Sequence, residues 1–309
     1  MTFELFPFAV TALDRAALAL VAGAAAVWIY LLPAQAGRGA GGPRPLLFLA
    51  LALLVVTSAG DLLSRTAALA DVGLGEAWPY LGRALTRSDY GAYWQLRAAA
   101  WAVLLALALL IARRGAGPPA AWGLAAGAAV IIFAASATGH AGDGGALALP
   151  NLVNVVHVAA ACLWGGSVVV YALRVLPDLC RPGAPAQILA RSAARLSTLA
   201  GAALAAVLAS GVYNAWHQLP DWPALWESGY GRVLLIKLAA VGVMMAIGAW
   251  NRFRIVPAIE ARARRPEAGP DDGAIPALGF LRVLRVDAAV FLCVLAGAAL
   301  LGMQTPPSH

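Results

Sequence analysis

Charged residues are scarce in this sequence, and their scarcity points to its class. Of its 309 residues, 12% are charged and 61% are hydrophobic, whereas a soluble domain carries about 25% charged residues. This composition excludes an ordinary soluble fold and predicts an integral membrane protein. The net charge of +7 does not indicate nucleic-acid binding, because the basic residues cluster in short loops between apolar runs.

Cysteines and catalytic motifs are also few. The chain has three cysteines, far apart and without a CxxC pair, so no disulfide framework is predicted. It has no HExxH motif, no nucleotide-binding loop and no Ser/His/Asp arrangement, so we expect neither an enzyme nor ATP-driven transport. No basic segment precedes the first apolar run, which we interpret as a retained helix.

Long apolar runs are what the chain has in abundance. A membrane-spanning helix needs about 20 such residues, and eight runs of that kind are present. The sequence therefore predicts an all-α, polytopic helix bundle that spans a membrane and is surrounded by lipid, with its oligomeric state left open. The predicted spans are 12–32, 45–64, 94–113, 119–139, 151–174, 193–214, 231–251 and 284–303.

The arginines predict an orientation and two outer loops predict a repeat. Most Lys and Arg residues fall in the loops after the first, third, fifth and seventh runs, and such loops are cytoplasmic. Both termini are then periplasmic. Residues 77–91 and 221–231 share Trp-Pro-x-Leu followed by Tyr-Gly, a pattern that predicts interfacial helices. The repetition suggests one domain, 1–309, built from two four-helix halves, about 12–139 and 151–303.

Histidines in or beside the apolar runs are the first candidate ligands. His157 lies inside the fifth run, where hydrocarbon offers its ring no partner and ionisable groups are usually functional. The alternative is a structural histidine that bonds to Asn154, one turn earlier, or to another helix. His140 ends the fourth run and His217 follows the sixth. Each of these two is either a metal ligand or a solvated loop histidine.

Sulfur-containing side chains extend the candidate set. Met303 ends the eighth run on the same side of the membrane as the histidines. Met244 and Met245 lie deeper, as does Cys162, and these three either line an ion path or fill the core. Imidazole, thioether and thiolate together suit copper better than Mg²⁺ or Ca²⁺, and zinc usually needs a compact tetrahedral set.

Two aspartates lie within apolar runs, where a charge is costly unless it is paired. Asp61 could pair with Arg65, four residues on, or orient a histidine ligand. We expect Asp287, near the inner end of the eighth run, to pair with Arg282 or Arg285 and to have a structural role.

Six short motifs occur in order along the chain. They are Gly-His-Ala at 139–141, His-x6-Trp-x-Gly at 157–166, SGVYNAWHQL at 210–219, YGRVLLIKLA at 230–239, NRFRIVP at 251–257 and TPP at 305–307. With this set the chain resembles the CopD family of copper-resistance membrane proteins, and the resemblance covers nearly all eight runs.

The resemblance implies an eight-helix inner-membrane protein that handles copper beside a separate periplasmic copper carrier, a CopC-like protein. The histidines of the family map onto His140, His157 and His217, and Asp287 stands where the family usually has Glu. The first hypothesis is copper movement from the periplasm inward. The alternatives are a membrane haem b protein that transfers electrons, with His140 facing His157 across the haem, and a periplasm-facing copper binder or sensor that transports nothing.

Overall fold

The computed structural model describes residues 5–32, 42–181, 183–219, 221–264 and 274–304. These residues form helices and connecting turns, and no β-strand occurs among them. Eight helices are long and apolar enough to cross a membrane, as the sequence predicted. They are α1 (Leu5–Leu31), α2 (Arg44–Ala70), α3 (Asp89–Arg114), α4 (Pro118–Ala137), α5 (Leu149–Leu179), α6 (Ala186–Gln218), α7 (Gly229–Ala263) and α8 (Ala274–Gly302).

Most of these helices are longer than the apolar runs that predicted them. Helix α6 begins seven residues before the predicted 193 and α8 begins ten residues before the predicted 284. Hydropathy detects the part of a helix that lies in hydrocarbon, whereas backbone hydrogen bonding continues into the polar interface. Charged residues such as Arg191 and Arg282 therefore lie within helices, not in loops.

Helices α1 and α5 form the centre of the bundle, where they pack closely against each other. Glycines allow this approach. A Cβ atom added to Gly166 would lie 1.9 Å from the carbonyl oxygen of Ala19, and one added to Gly23 would lie 2.1 Å from that of Gly166. Small residues at such a crossing bring backbones together, which favours helix association in membranes.

The two halves of the chain use the same packing scheme. In the first half, α1 packs against α2 and α4, and α3 packs against both of these. In the second half, α5 packs against α6 and α8, and α7 packs against α8. The halves differ at one contact, because α7 meets α6 mainly through its inner part, which includes helical residues Val256–Ala263. The outer part of α7 therefore diverges from α6.

The two similar outer loops carry short helices, as predicted. The first contains Leu81–Arg87 and the second the single turn Ala224–Glu227. Each ends at a serine, Ser88 or Ser228, whose side chain accepts a hydrogen bond from the backbone N–H three residues on and so caps the next spanning helix. The loops therefore match in capping as well as in sequence.

The first half encloses a buried ion pair that the sequence did not predict. Asp14 on α1 pairs with Arg97 on α3, and both residues are buried. Thr57 donates a hydrogen bond of 2.9 Å to Asp14, and Arg97 Nε donates one of 2.9 Å to Ser58 Oγ. These bonds join α1, α2 and α3 and compensate two charges that would otherwise be costly in hydrocarbon.

Candidate functional site

His157 lies on α5 with one ring nitrogen held in place. Its Nδ1 is 3.2 Å from the carbonyl oxygen of Val207 and 3.0 Å from Ser210 Oγ, both on α6. The serine hydroxyl donates to the carbonyl of Ala206, and a carbonyl can only accept. The proton therefore belongs on Nδ1, and the lone pair belongs on Nε2, which receives no hydrogen bond from any described residue. Metal-binding histidines are commonly oriented in this way, by donating the other ring N–H to a carbonyl oxygen.

A network of amide and hydroxyl side chains lies on the outer side of His157. Asn154 Nδ2 donates to Ser136 Oγ over 2.8 Å, and that hydroxyl donates to Asn151 Oδ1 over 2.6 Å. Asn214 on α6 donates to Asn154 Oδ1 over 3.3 Å. Asn154 thus bonds to the network and not to His157, whose ring bonds instead to another helix, α6, as the structural alternative also allowed. The network joins α4, α5 and α6 just outside the histidine.

His140 and His217 lie nearer the surface. His140 begins a short 3-10 turn and its side chain is 49% exposed, with Nδ1 3.7 Å from Asp143 Oδ2. The exposed His217 ends α6 with its ring 4.7 Å from that of Tyr213. Because His140 lies in an exposed turn, its position does not favour haem ligation opposite His157. Within the described ranges, no three His, Cys, Asp or Glu side chains form a metal-binding cluster.

The sulfur-containing candidates are spread through the bundle. Met303 follows α8 and is 39% exposed, whereas Met244 is fully buried, with Met245 partly buried beside it. Cys162 is buried at the α1–α5 side of the core, as expected for an inert thiol. Cys180 lies just beyond α5, and burial raises the pKa of its thiol, which disfavours the thiolate that binds metals.

The two aspartates differ from their predicted pairings. Asp61 Oδ2 accepts a hydrogen bond of 2.8 Å from Tyr90 on α3, so its described partner is neither Arg65 nor a histidine. Asp287 lies in the middle of α8, not near its inner end, and is 2% exposed. Arg282 and Arg285 are exposed and form no described ion pair with it. Residues two and five positions away lie on other faces of a helix.

Sequence reasoning missed several members of this site. The sequence did contain a pattern that indicates them, namely polar residues at helical spacing within apolar runs. Ser210, Asn214 and His217 are four and three residues apart and so lie on one face of α6. Asn151 and Asn154 are three residues apart on α5. What the sequence did not reveal was which faces of α4, α5 and α6 meet.

Two family models match the chain. The model described as copper resistance protein D-like, N-terminal domain, matches residues 3–149, and the model described as copper resistance protein D matches residues 190–301. The first covers α1–α4 and the second covers most of α6, with all of α7 and nearly all of α8. The two matches include His140, His217, Asp61, Met244 and Met245, whereas Asn154, His157 and Cys162 lie between them and Met303 lies beyond the second. No solved structure matches the chain significantly.

Three relatives show the same similarity. Copper resistance protein D of Pseudomonas syringae pv. tomato is 29% identical over 75% of this chain and 73% of its own length. Inner membrane protein YebZ of Escherichia coli (strain K12) is 27% identical over 80% and 81%, respectively. Copper transport protein CutJ of Bacillus subtilis (strain 168) is 26% identical over 79% of this chain and 42% of its own, greater length. With both family models placed in order along its length, this multi-pass inner-membrane protein belongs to the copper resistance protein D family.

Proposed function

We propose that this protein moves copper ions from the periplasm toward the cytoplasm, with His157 as the central ligand. The observation that carries the proposal is the fixed imidazole of His157, whose Nδ1 faces Val207 and Ser210 while Nε2 keeps a free lone pair. A neutral imidazole with its second nitrogen bonded to a carbonyl is pre-oriented to bind a metal ion. Copper is the ion that the family relationship favours.

The polar network outside His157 provides an entry. His157 lies eight residues into α5, roughly 12 Å below its outer end at 1.5 Å per residue. Between it and the surface lie Asn151, Asn154 and Asn214, whose amide oxygens can replace part of the water shell of an ion. In this proposal the exposed His140 and His217, with Met303, capture copper at the periplasmic mouth.

Weak binding at His157 would suit transport. An ion must leave each site as readily as it enters, so a path of moderate sites conducts better than one tight site. Deeper candidates for the path are Met244 and Met245, with Cys162 near the bundle centre. Asp61, bonded to Tyr90 in the other half, has no part in it.

The orientation and the partner are also proposals. The arginine-rich loops place the inner ends of α5 and α7 in the cytoplasm, so that both termini, and the polar network, face the periplasm. A separate periplasmic copper carrier, CopC-like, would deliver the ion there. The relative from Bacillus subtilis is named a copper transport protein, which favours transport over a sensor that binds copper without moving it.

Replacing His157 with alanine tests the proposed ligand. We expect the Cu(I) affinity of the detergent-purified protein to fall at least tenfold, about 1.4 kcal/mol, because a side chain that binds the metal ion directly is lost. The measurement is a competition titration with a coloured Cu(I) chelator. Val156→Ala is the matched control, since Val156 adjoins the histidine on α5 but is 53% exposed. Equal affinity in His157→Ala and wild type would refute His157 as a ligand.

A further inference from the structure

A cavity of about 250 Å³ lies between the four helices of the second half. Most of its lining is apolar, including Trp164 on α5 and Phe280 on α8. Trp164 follows His157 by two helical turns, roughly 10 Å deeper. The cavity therefore lies on the inner side of the candidate site.

Two buried oxygen atoms at this cavity lack partners. Asp287 is 2% exposed and Asn251 is 7% exposed, and both line the cavity. Neither Asp287 Oδ1 nor Asn251 Oδ1 receives a hydrogen bond from any described residue. Unpaired ionisable groups in a membrane interior are costly and usually mark an ion or substrate site. Their shared position suggests that a bound species satisfies both.

A cationic side chain that lines the same cavity is bonded elsewhere. This residue is Arg252. Its Nη1 instead lies 3.3 Å from both the carbonyl oxygen and the hydroxyl of Ser197 on α6. The carboxylate of Asp287 is therefore available to a cation that enters the cavity.

Thioether sulfur completes the donor set. Met244 is fully buried and lines the same cavity, as does Met245. A carboxylate oxygen, an amide oxygen and thioether sulfurs around one space differ from the all-oxygen sites of Mg²⁺ and Ca²⁺. Thioethers favour copper, especially Cu(I).

We infer that the cavity is a second copper site, with Asp287 and Met244 as its principal ligands and Asn251 as an additional oxygen donor. The inference rests on the proposed function, since the ion would arrive from His157. The two sites are then two successive copper-binding sites at different depths in the second half. The outer site has a nitrogen ligand on α5, and the inner site has oxygen and sulfur ligands on α7 and α8. From its place among basic residues in the sequence, Asp287 was expected to have only a structural role.

The test is the Cu(I) stoichiometry of the detergent-purified full chain, measured by competition with a coloured chelator. Wild type should bind one copper ion at each site. Asp287→Asn, nearly identical in shape, and Met244→Leu, similar in volume, should each weaken binding of one ion at least tenfold and leave the other unchanged. Asp178→Asn is the control, because that carboxylate is partly exposed and already pairs with Arg181. Each variant is compared with wild type for monodisperse elution.

The outcomes separate the two proposals. If Asp287→Asn retains both ions, the inner site is refuted whatever His157→Ala shows. If Asp287→Asn loses a copper ion but Met244→Leu does not, Met244 is not a ligand and the proposed site of oxygen and sulfur donors is overturned. If Asp287→Asn and Met244→Leu lose the same ion while His157→Ala loses none, the inner site stands and the proposed role of His157 fails.

Discussion

Asp14→Ala should lower the free energy of unfolding by about 3–5 kcal/mol, the usual cost of leaving one partner of a buried ion pair uncompensated. The substitution leaves Arg97 buried without its carboxylate and Thr57 without its acceptor. Because the pair joins α1 to α3 and both of its members bond to α2, its loss should destabilise the whole first half. The change in stability is measured by thermal unfolding in detergent, monitored as the loss of monodisperse protein.

Two further variants separate pairing from packing. Asp178→Ala, which breaks the exposed pair with Arg181, should cost no more than about 1 kcal/mol. The double variant Asp14→Leu/Arg97→Met removes both charges and should recover most of the stability lost in Asp14→Ala. A double variant as unstable as Asp14→Ala would show that the charges are not the cause.

Gly166→Val should prevent the folded bundle from forming, with a cost of about 3 kcal/mol or more, at or above the upper end for overpacked cores. The obstacle to a side chain at Gly166 is the backbone carbonyl of Ala19, 1.9 Å from the added Cβ. Backbone cannot move aside as a flexible side chain can, so α1 and α5 would have to separate. The yield of monodisperse protein after detergent extraction measures the effect.

Gly242 offers a matched comparison for the same substitution. It lies on α7, and a Cβ added there would meet no atom within 4 Å. Gly242→Val should therefore change stability by about 0.5 kcal/mol or less, as surface substitutions usually do. Equal yields of the Gly166 and Gly242 variants would mean that α1 and α5 do not cross closely.

The sequence predicted the number and order of spanning helices because hydrocarbon thickness imposes a length of apolar chain on each. It did not predict helix ends, as α6 and α8 show, since helices continue into the interface where hydropathy falls. It also missed the pair formed by Asp14 and Arg97. These residues are 83 positions apart, and no local pattern shows which faces of α1 and α3 meet.

The candidate site was predictable residue by residue but not as an arrangement. His157 was identified because an imidazole inside an apolar run needs a partner, yet the partners on α6 emerged only from the packing of α5 and α6. Asp287 shows the opposite error. Its basic neighbours along α8 suggested an ion pair, but helical geometry turns Arg282 and Arg285 to other faces.

Copper uptake into proteoliposomes tests the central claim most directly. Purified protein is reconstituted with a copper indicator inside the vesicles, and sidedness is measured by reacting a Gly144→Cys variant with an impermeant thiol reagent, with the parent protein as blank. Gly144 is exposed in the loop between α4 and α5, which the proposed orientation places outside. Wild type should take up copper from the face that bears this loop, and His157→Ala should do so at least tenfold more slowly. Wild-type protein that binds copper yet gives no more uptake than empty vesicles would contradict transport and leave a copper binder or sensor.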